Sequence, residues 1–227
     1  MFQKWYLSKC IKNNSITLAT LFVLGQGSLI HAAPLPKILQ EIEKKYTASA
    51  TLSADFQQEQ LNKITSRTTI SSGKIFVKRP SKIRWETTKP SSTLLIGNGQ
   101  KYWFYTPPFD PQDKEEKGQV IEKPAAQVQS KLADALISGS FSMARDMKIQ
   151  QGTPGTFTLT PKPGSAGTVA TASIVVDLKE KLIRKVILNH KGGNRAEISL
   201  SNIELGKPLA ESLFVFVAPP NTDQIKE

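Results

Sequence analysis

The chain has 227 residues, 39% of them hydrophobic, and carries 30 Lys and Arg against 19 Asp and Glu, a formal charge of +11. One cysteine and two histidines are too few for a disulfide framework, a thiolate or imidazole metal centre, or redox chemistry. The length allows one large domain or two small ones.

Lys4, Lys9 and Lys12, then the apolar run Ile16 to Leu24, then Ala32-Ala33, predict a secretory signal over residues 1–33, cut after Ala33 or nearby. The apolar run is roughly half of the ~20 residues that a membrane span needs. Cys10 precedes that run, whereas a lipid-bearing cysteine would follow it, so the mature chain is expected to have neither a lipid anchor nor a thiol. Residues 34–227 are expected to form a single domain, long enough to bury a core without disulfides. Losing three lysines and no acids leaves a charge of about +8. For a secreted chain this fits a solvated surface, an acidic protein or an anionic membrane better than nucleic acid.

Leu35, Ile38, Leu39, Ile42 and Tyr46 recur at helical spacing after two prolines, which predicts a helix over 36–46. From Ala50 the period becomes two. Strands are expected at 50–57 and near 67–78, 82–88, 93–97 and 101–105, with Asn98-Gly99 turning a hairpin. Residues 106–119 hold three prolines and a run of charges and read as a loop. In 123–139, Pro124 suits a first helical turn, Val128, Leu132, Ala135 and Leu136 share one face, and Gly139 suits the C-terminal cap. Strands are expected again at 145–151, 155–161, 169–178, 181–190, 195–205 and 212–217, with a bulge or bend near Ser201, where the apolar face switches. The fold class is therefore mainly β with helices (α+β). About ten antiparallel strands form a strongly curved sheet or incomplete barrel, and two helical pieces are available to cover one side.

Catalytic signatures are missing. His190 stands beside a Lys-Gly-Gly turn and reads as an exposed loop residue. There is no Gly-x-Ser-x-Gly elbow, and Gly97-Asn98-Gly99 lacks the third glycine and helix of a dinucleotide fingerprint. No paired carboxylates stand out, so neither an enzyme nor a cofactor is expected. Apolar and aromatic residues concentrate instead in the first sheet: Phe56, Ile75, Val77, Ile83, Trp85, Leu94, Ile96, Trp103 and Tyr105. In Tyr102-Trp103-Phe104-Tyr105 large rings fall on both faces of one strand, although a half-buried antiparallel strand usually has a polar face. Either helices cover one face as ordinary core, or that face lines a hydrophobic cavity under a removable cover. Arg79, fixed by Pro80 at a strand end, is either a solvated turn residue or a latch whose five donors hold the carbonyls of a covering helix.

Gly73-x-x-x-Val77-Lys78-Arg79-Pro80, followed by Trp85, Pro90, Leu95-Ile96, Gly99 and Trp103-Phe104-Tyr105, resembles the central signature of the periplasmic outer-membrane lipoprotein carrier (LolA) family. Ala54 to Gln58, Phe157 to Lys162 and Phe214-x-Phe216 with Pro219-Pro220 are similar to its other strands. The resemblance implies an unclosed antiparallel β-barrel of about eleven strands under a helical lid, with no cofactor and no catalysis. It implies a chaperone that takes acylated lipoproteins from an inner-membrane ABC-type lipoprotein-releasing transporter. The cargo would go to an outer-membrane acceptor (LolB), and the carrier would be a periplasmic monomer. Arg79 matches the family's lid latch. Ile83 stands where many members place Phe, at a position implicated in transporter contact. Expected acyl-chain cavity residues are Phe56, Ile75, Val77, Trp85, Ile96, Trp103 and Tyr105. Val128, Leu132 and Leu136 are the expected lid face. A lipid- or protein-binding sensor on the same fold is the alternative.

Overall fold

The computed structural model describes residues 35–110, 112–113, 115–128, 131–162 and 167–226. The expected signal segment lies outside them. Helix α1 (Lys37–Thr47) follows Pro36 and buries Leu39, Ile42 and Tyr46, one face of the helix. Lys44 and Lys45 lie in its last turn, where cations suit the negative end of the helix dipole.

Among the described residues twelve strands follow: β1 (Thr51–Asn62), β2 (Arg67–Lys78), β3 (Lys82–Lys89), β4 (Thr93–Gly97), β5 (Lys101–Thr106), β6 (Gly118–Pro124), β7 (Lys148–Gln151), β8 (Thr156–Thr160), β9 (Val169–Asp177), β10 (Leu182–His190), β11 (Arg195–Leu205) and β12 (Thr222–Lys226). They form one sheet in the order β12-β6-β5-β4-β3-β2-β1-β11-β10-β9-β8-β7. The sheet does not close: β12 and β7 are its two edges. All neighbours are antiparallel except β12 and β6. Helix α2 (Lys131–Ile137) lies between β6 and β7.

Four expectations are corrected. Residues 118–124 are a strand, because Val120 and Ile121 pair with Tyr105 and Phe104 of β5. The helix expected over 123–139 therefore shrinks to a 3-10 turn at Ala125–Gln127 and α2, with Val128 extended between them. Val128 is buried, but it does not share the helical face of Leu132 and Leu136. At 145–151 a 3-10 turn (Met143–Asp146) precedes a strand of four residues. Residues 212–217 form no strand: Glu211–Phe214 is a 3-10 turn, and the unanticipated last strand is β12.

Two local devices bend the sheet. On β11, Ser201 pairs with Asp55 and Glu204 with Ser53, so β11 carries an extra residue opposite Ala54. Asn202 absorbs this bulge at φ +48 and donates from Nδ2 to Asp55 Oδ2 at 2.7 Å. On β2, a Cβ at Gly73 would lie 1.8 Å from the Glu86 carbonyl oxygen, an approach that only glycine permits. The Asn98-Gly99 hairpin forms as expected, with Gly99 at φ +96 and the Asn98 side chain accepting from the backbone of Gln100 and Lys101.

Alternation assigns the two faces. Leu52, Ala54 and Phe56 of β1 pair with Val77, Ile75 and Gly73 of β2. Val77 and Ile75 pair with Ile83 and Trp85, and these with Gly97 and Leu95. This inner face joins α1, α2, Phe141 and the inner residues of β8 to β11 in one core. The outer face of β2 to β6 is crossed by the segment between β11 and β12. Along its path Leu209 O accepts from Lys78, Glu211 pairs with Lys78 and Lys82 at 2.7 and 2.6 Å, and Leu213 O accepts from Arg84.

Candidate functional site

Arg79 follows the last residue of β2, and its own N–H donates to Ala50 O at 2.9 Å, which fixes its backbone. Its Nε donates to Tyr46 O at 3.0 Å and Ser49 O at 3.1 Å, and its second amine group to Ser138 O at 2.6 Å. Tyr46 and Ser49 are at the C-terminal end of α1, and Ser138 directly follows α2. Carbonyls of a last helical turn have no partner within the helix. One half-buried guanidinium therefore ties the ends of both helices to the sheet. Its planar fork matches three diverging acceptors in a way that an ammonium cannot. Burial lowers its pKa.

The helices are also tied to each other. Glu43 of α1 accepts from Phe141 N–H at 3.1 Å and pairs with Arg145, both just beyond α2. Tyr46 binds a third element: its hydroxyl accepts from Ile183 N–H on β10 at 2.9 Å, and burial raises its pKa. Lys45 donates to Glu180 O, and Lys181 pairs with Glu41, at the same end.

Beneath the helices, Leu39, Ile42, Tyr46 and Leu136 are fully buried against Ile75, Phe157, Ile174 and Ile183. The hollow expected there is filled by the helices' own side chains. The filling is uneven across the sheet. At β3 to β6 the inner residues Trp85, Leu95, Tyr102, Phe104 and Ile121 remain only half-buried. Trp85 lies against Phe56, ring centroids 4.6 Å apart, and Tyr102 stacks on Phe104 at 6.4 Å. Asp134 of α2 lies close enough to Tyr102 for its charge to add to the effect of burial in raising the phenol's pKa. Desolvation pushes the Asp134 carboxyl up to about 7.

The seven expected cavity residues do not share a surface. Phe56, Ile75, Val77 and Trp85 lie on the inner face. Ile96 pairs with Arg84 and Trp103, and Tyr105 with Leu94 and Val120, all on the outer face. There Trp103 stacks on Phe216 at 6.2 Å and donates to Glu122 at 3.0 Å, while Tyr105 meets Phe216 at 5.8 Å. Rings occur on both faces of β5 because the core under the helices reaches one in part, at Tyr102, and the chain's own C-terminal segment packs on the other. A cavity of about 220 Å³ lined by Trp103, Val120, Phe216 and Ile225 lies on this outer side. The inner residues that the sequence reading missed are Leu95, Tyr102, Phe104 and Ile121. Ile83 is 5% exposed and sits within the core, so with the helices in place it offers no surface to a partner. His190 ends β10, half-buried, with Nδ1 3.1 Å from Thr168 Oγ1. Among the described residues no group of His, Cys, Asp and Glu could hold a metal.

A family model described as outer membrane lipoprotein carrier protein LolA matches residues 47–217, well over half of the chain. An outer-membrane lipoprotein carrier protein of Dechloromonas aromatica (strain RCB) is 28% identical over 216 residues, covering 93% of this chain and 96% of the relative. One of Pseudomonas aeruginosa (strain UCBPP-PA14) is 27% identical over 224 residues, covering 92% and 99%. Among solved structures, an uncharacterized conserved protein from Thermus thermophilus superposes with a TM-score of 0.50 at 11% identity, over 83% of this chain and 97% of that one, a likeness of fold alone.

Proposed function

Since the chain belongs to the outer membrane lipoprotein carrier protein LolA family, we propose that it is a periplasmic carrier that shelters the acyl chains of lipoproteins against the inner face of its sheet. The observation that carries this reading is the attachment of the cover. Two helices lie on an apolar sheet face, and a single guanidinium holds both of their ends. An ordinary core needs no charged group that joins the ends of both covering helices. A binding face that must be hidden when empty does, because a large exposed apolar patch aggregates.

Acyl chains do not cross water unshielded, since each buried CH₂ is worth about 0.8 kcal/mol. The space under α1 and α2 is occupied by Leu39, Ile42 and Leu136, so cargo and cover compete for one surface. Loading then requires the helices to swing away, with Arg79 releasing Tyr46, Ser49 and Ser138, and with α1 giving up its contacts with Ile183, Glu180 and Lys181. The half-buried Trp85, Leu95, Tyr102, Phe104 and Ile121 offer a first foothold. Closure returns the core contacts and favours release. The acyl chains pass to whichever partner binds them more tightly. In this reading the donor is an inner-membrane ABC-type lipoprotein-releasing transporter and the acceptor an outer-membrane lipoprotein, LolB. Residues 1–33 direct export. The carrier works as a monomer without cofactor, nucleic acid or catalysis. An engagement of the transporter through Ile83 would follow, not precede, displacement of the helices.

The test is to purify the mature protein from cells that make and export lipoproteins and to identify bound material by mass spectrometry. Triacylated protein is the expected result. Free lipid alone, or nothing in repeated preparations, would favour the other reading, a lipid- or protein-sensing module on the same sheet.

A further inference from the structure

The ends of β2 differ sharply. One carries Arg79 and the helices. The other joins the turn between β1 and β2 to the turn between β10 and β11 through Lys63 N–H donating to Asn194 Oδ1 at 2.9 Å, and a Cβ on Gly193 would meet the Lys63 side chain at 2.9 Å. The second turn is fastened in its turn to the loop before β9: Lys191 donates from its backbone to Thr168 O and from Nζ to Gly167 O. These turns present Lys63, Arg67, Lys191 and Arg195, and residues 60–69 and 188–196 contain no acid. The acids next along the strands are Glu59 and Glu197, and Glu197 is already paired with both Lys185 and Arg195. Neither Lys63 nor Arg67 is paired with a carboxylate among the described residues. Between them Ile64 stands 91% exposed, and Ile70 is 55% exposed just beyond.

We propose that this end of the sheet is a docking face for anionic phospholipid headgroups, with Lys63, Arg67 and Lys191 on the phosphates and Ile64 at the acyl boundary. Its shape favours a membrane over a protein. It is a projecting tip with one apolar residue between cations, the arrangement of an interfacial anchor. A stable protein interface is built around an apolar centre, whereas these turns expose Ile64 alone between cations. The tip is at the far end of a 12-residue strand from Arg79, at most about 40 Å away. Docking by the tip therefore leaves the helices free to open. The attraction holds the protein near a bilayer whether or not cargo is present, so this inference stands apart from the carrier reading.

The experiment is flotation of the cargo-free mature protein with vesicles of phosphatidylglycerol and phosphatidylethanolamine, against vesicles of phosphatidylcholine and phosphatidylethanolamine. Binding to the first and not the second is expected, weakening as salt is raised. Each Lys or Arg near an anionic surface is worth roughly five-fold in affinity, so Lys63→Glu with Arg67→Glu should cost at least about 25-fold. Ile64→Ser should weaken binding at high salt, where the apolar part dominates. A control with the same charge change at the end of the sheet that carries Arg79, Lys179→Glu with Lys207→Glu, both exposed, should bind as the parent does. Equal binding to neutral vesicles, an unaffected tip variant, or an equally weakened control would each overturn the proposal. So would no flotation at all, the result expected if the face served an acidic protein. Melting temperatures of the variants establish that they are folded.

Discussion

Gly139 and Tyr46 meet backbone to ring: a Cβ on Gly139 would lie 2.5 Å from Cγ and Cδ1 of the tyrosine. Gly139 sits at φ +72 just past α2, and its N–H donates to Leu136 O at 3.1 Å. The left-handed cap and the close approach both require glycine. Tyr46 cannot give way, because its hydroxyl holds Ile183 and its carbonyl holds Arg79. Gly139→Ala should therefore destabilise by about 2–4 kcal/mol, in the range of severe core substitutions. Gly192→Ala, at an ordinary φ with nothing within 4 Å, should stay within about 0.5 kcal/mol. Denaturant titration of the two variants checks this, and equal stabilities would remove the role given to the Gly139–Tyr46 contact.

Replacing Arg79 separates charge from geometry. Hydrogen bonds to charged groups are worth roughly 1.5–3 kcal/mol each. Arg79→Leu forfeits the three to Tyr46, Ser49 and Ser138, while Arg79→Lys keeps the charge but cannot span all three acceptors. Amide exchange in α1 and α2 should quicken at least ten-fold in Arg79→Leu and by less in Arg79→Lys, with the central strands unchanged. If the carrier reading holds, Arg79→Leu still takes up lipoprotein but passes it on poorly. Unaltered helix exchange would show that the helices do not depend on this tether.

How far the sequence reached is clearest at two places. The end of β2 was legible, because Arg-Pro after an alternating run marks a strand end and a guanidinium there needs acceptors. Its partners were not, since nothing local says that Ser138 returns to within 2.6 Å of residue 79. The faces of β4 and β5 were read wrongly. Trp103 and Tyr105 belong with Leu94 and Ile96, as the hairpin at Asn98 requires. Whether that set faces with Trp85 or away from it is decided by the turn between β3 and β4, where Thr87 pairs with Thr93. A one-residue change in that turn would invert the assignment. Strands β6 and β12 escaped notice because a charged, proline-rich loop precedes one and the other is a polar parallel edge whose pairing joins residues about a hundred positions apart.

The two faces of β5 should respond differently. Phe104 lies on the inner face, half-buried beside Tyr102 and Ile121, so Phe104→Ser should cut acyl-chain loading ten-fold or more at a stability cost of about 1–2 kcal/mol. Trp103 lies on the outer face against Phe216 and Glu122. Trp103→Ala should destabilise by about 2–3 kcal/mol, below the range for a fully buried tryptophan, and leave loading within two-fold. Binding of a fluorescent diacyl probe, alongside thermal melts, distinguishes them. The opposite pattern would place the acyl chains on the outer side.

Asp134 gives the cover a pH dependence. Its carboxyl is pushed up to about 7 by desolvation, well above the ordinary value of 3.8 that it regains in the unfolded chain. The folded state thus binds more protons than the unfolded state between about pH 4 and pH 7. Stability from this group is full below that window and falls as pH rises through it, because the folded chain must then hold a desolvated carboxylate. Glu211 acts in the opposite sense at lower pH. Lys78 and Lys82 hold its carboxyl down to about 2, so its contribution is present above 4.5 and lost on further acidification. Asp134→Asn removes the first dependence alone. Its melting temperature should exceed the parent's at about pH 8, converge with it near pH 4, and vary less between the two. Parallel curves for parent and variant across that range would show that Asp134 is ionised without cost and plays no part in closing the helices over the sheet.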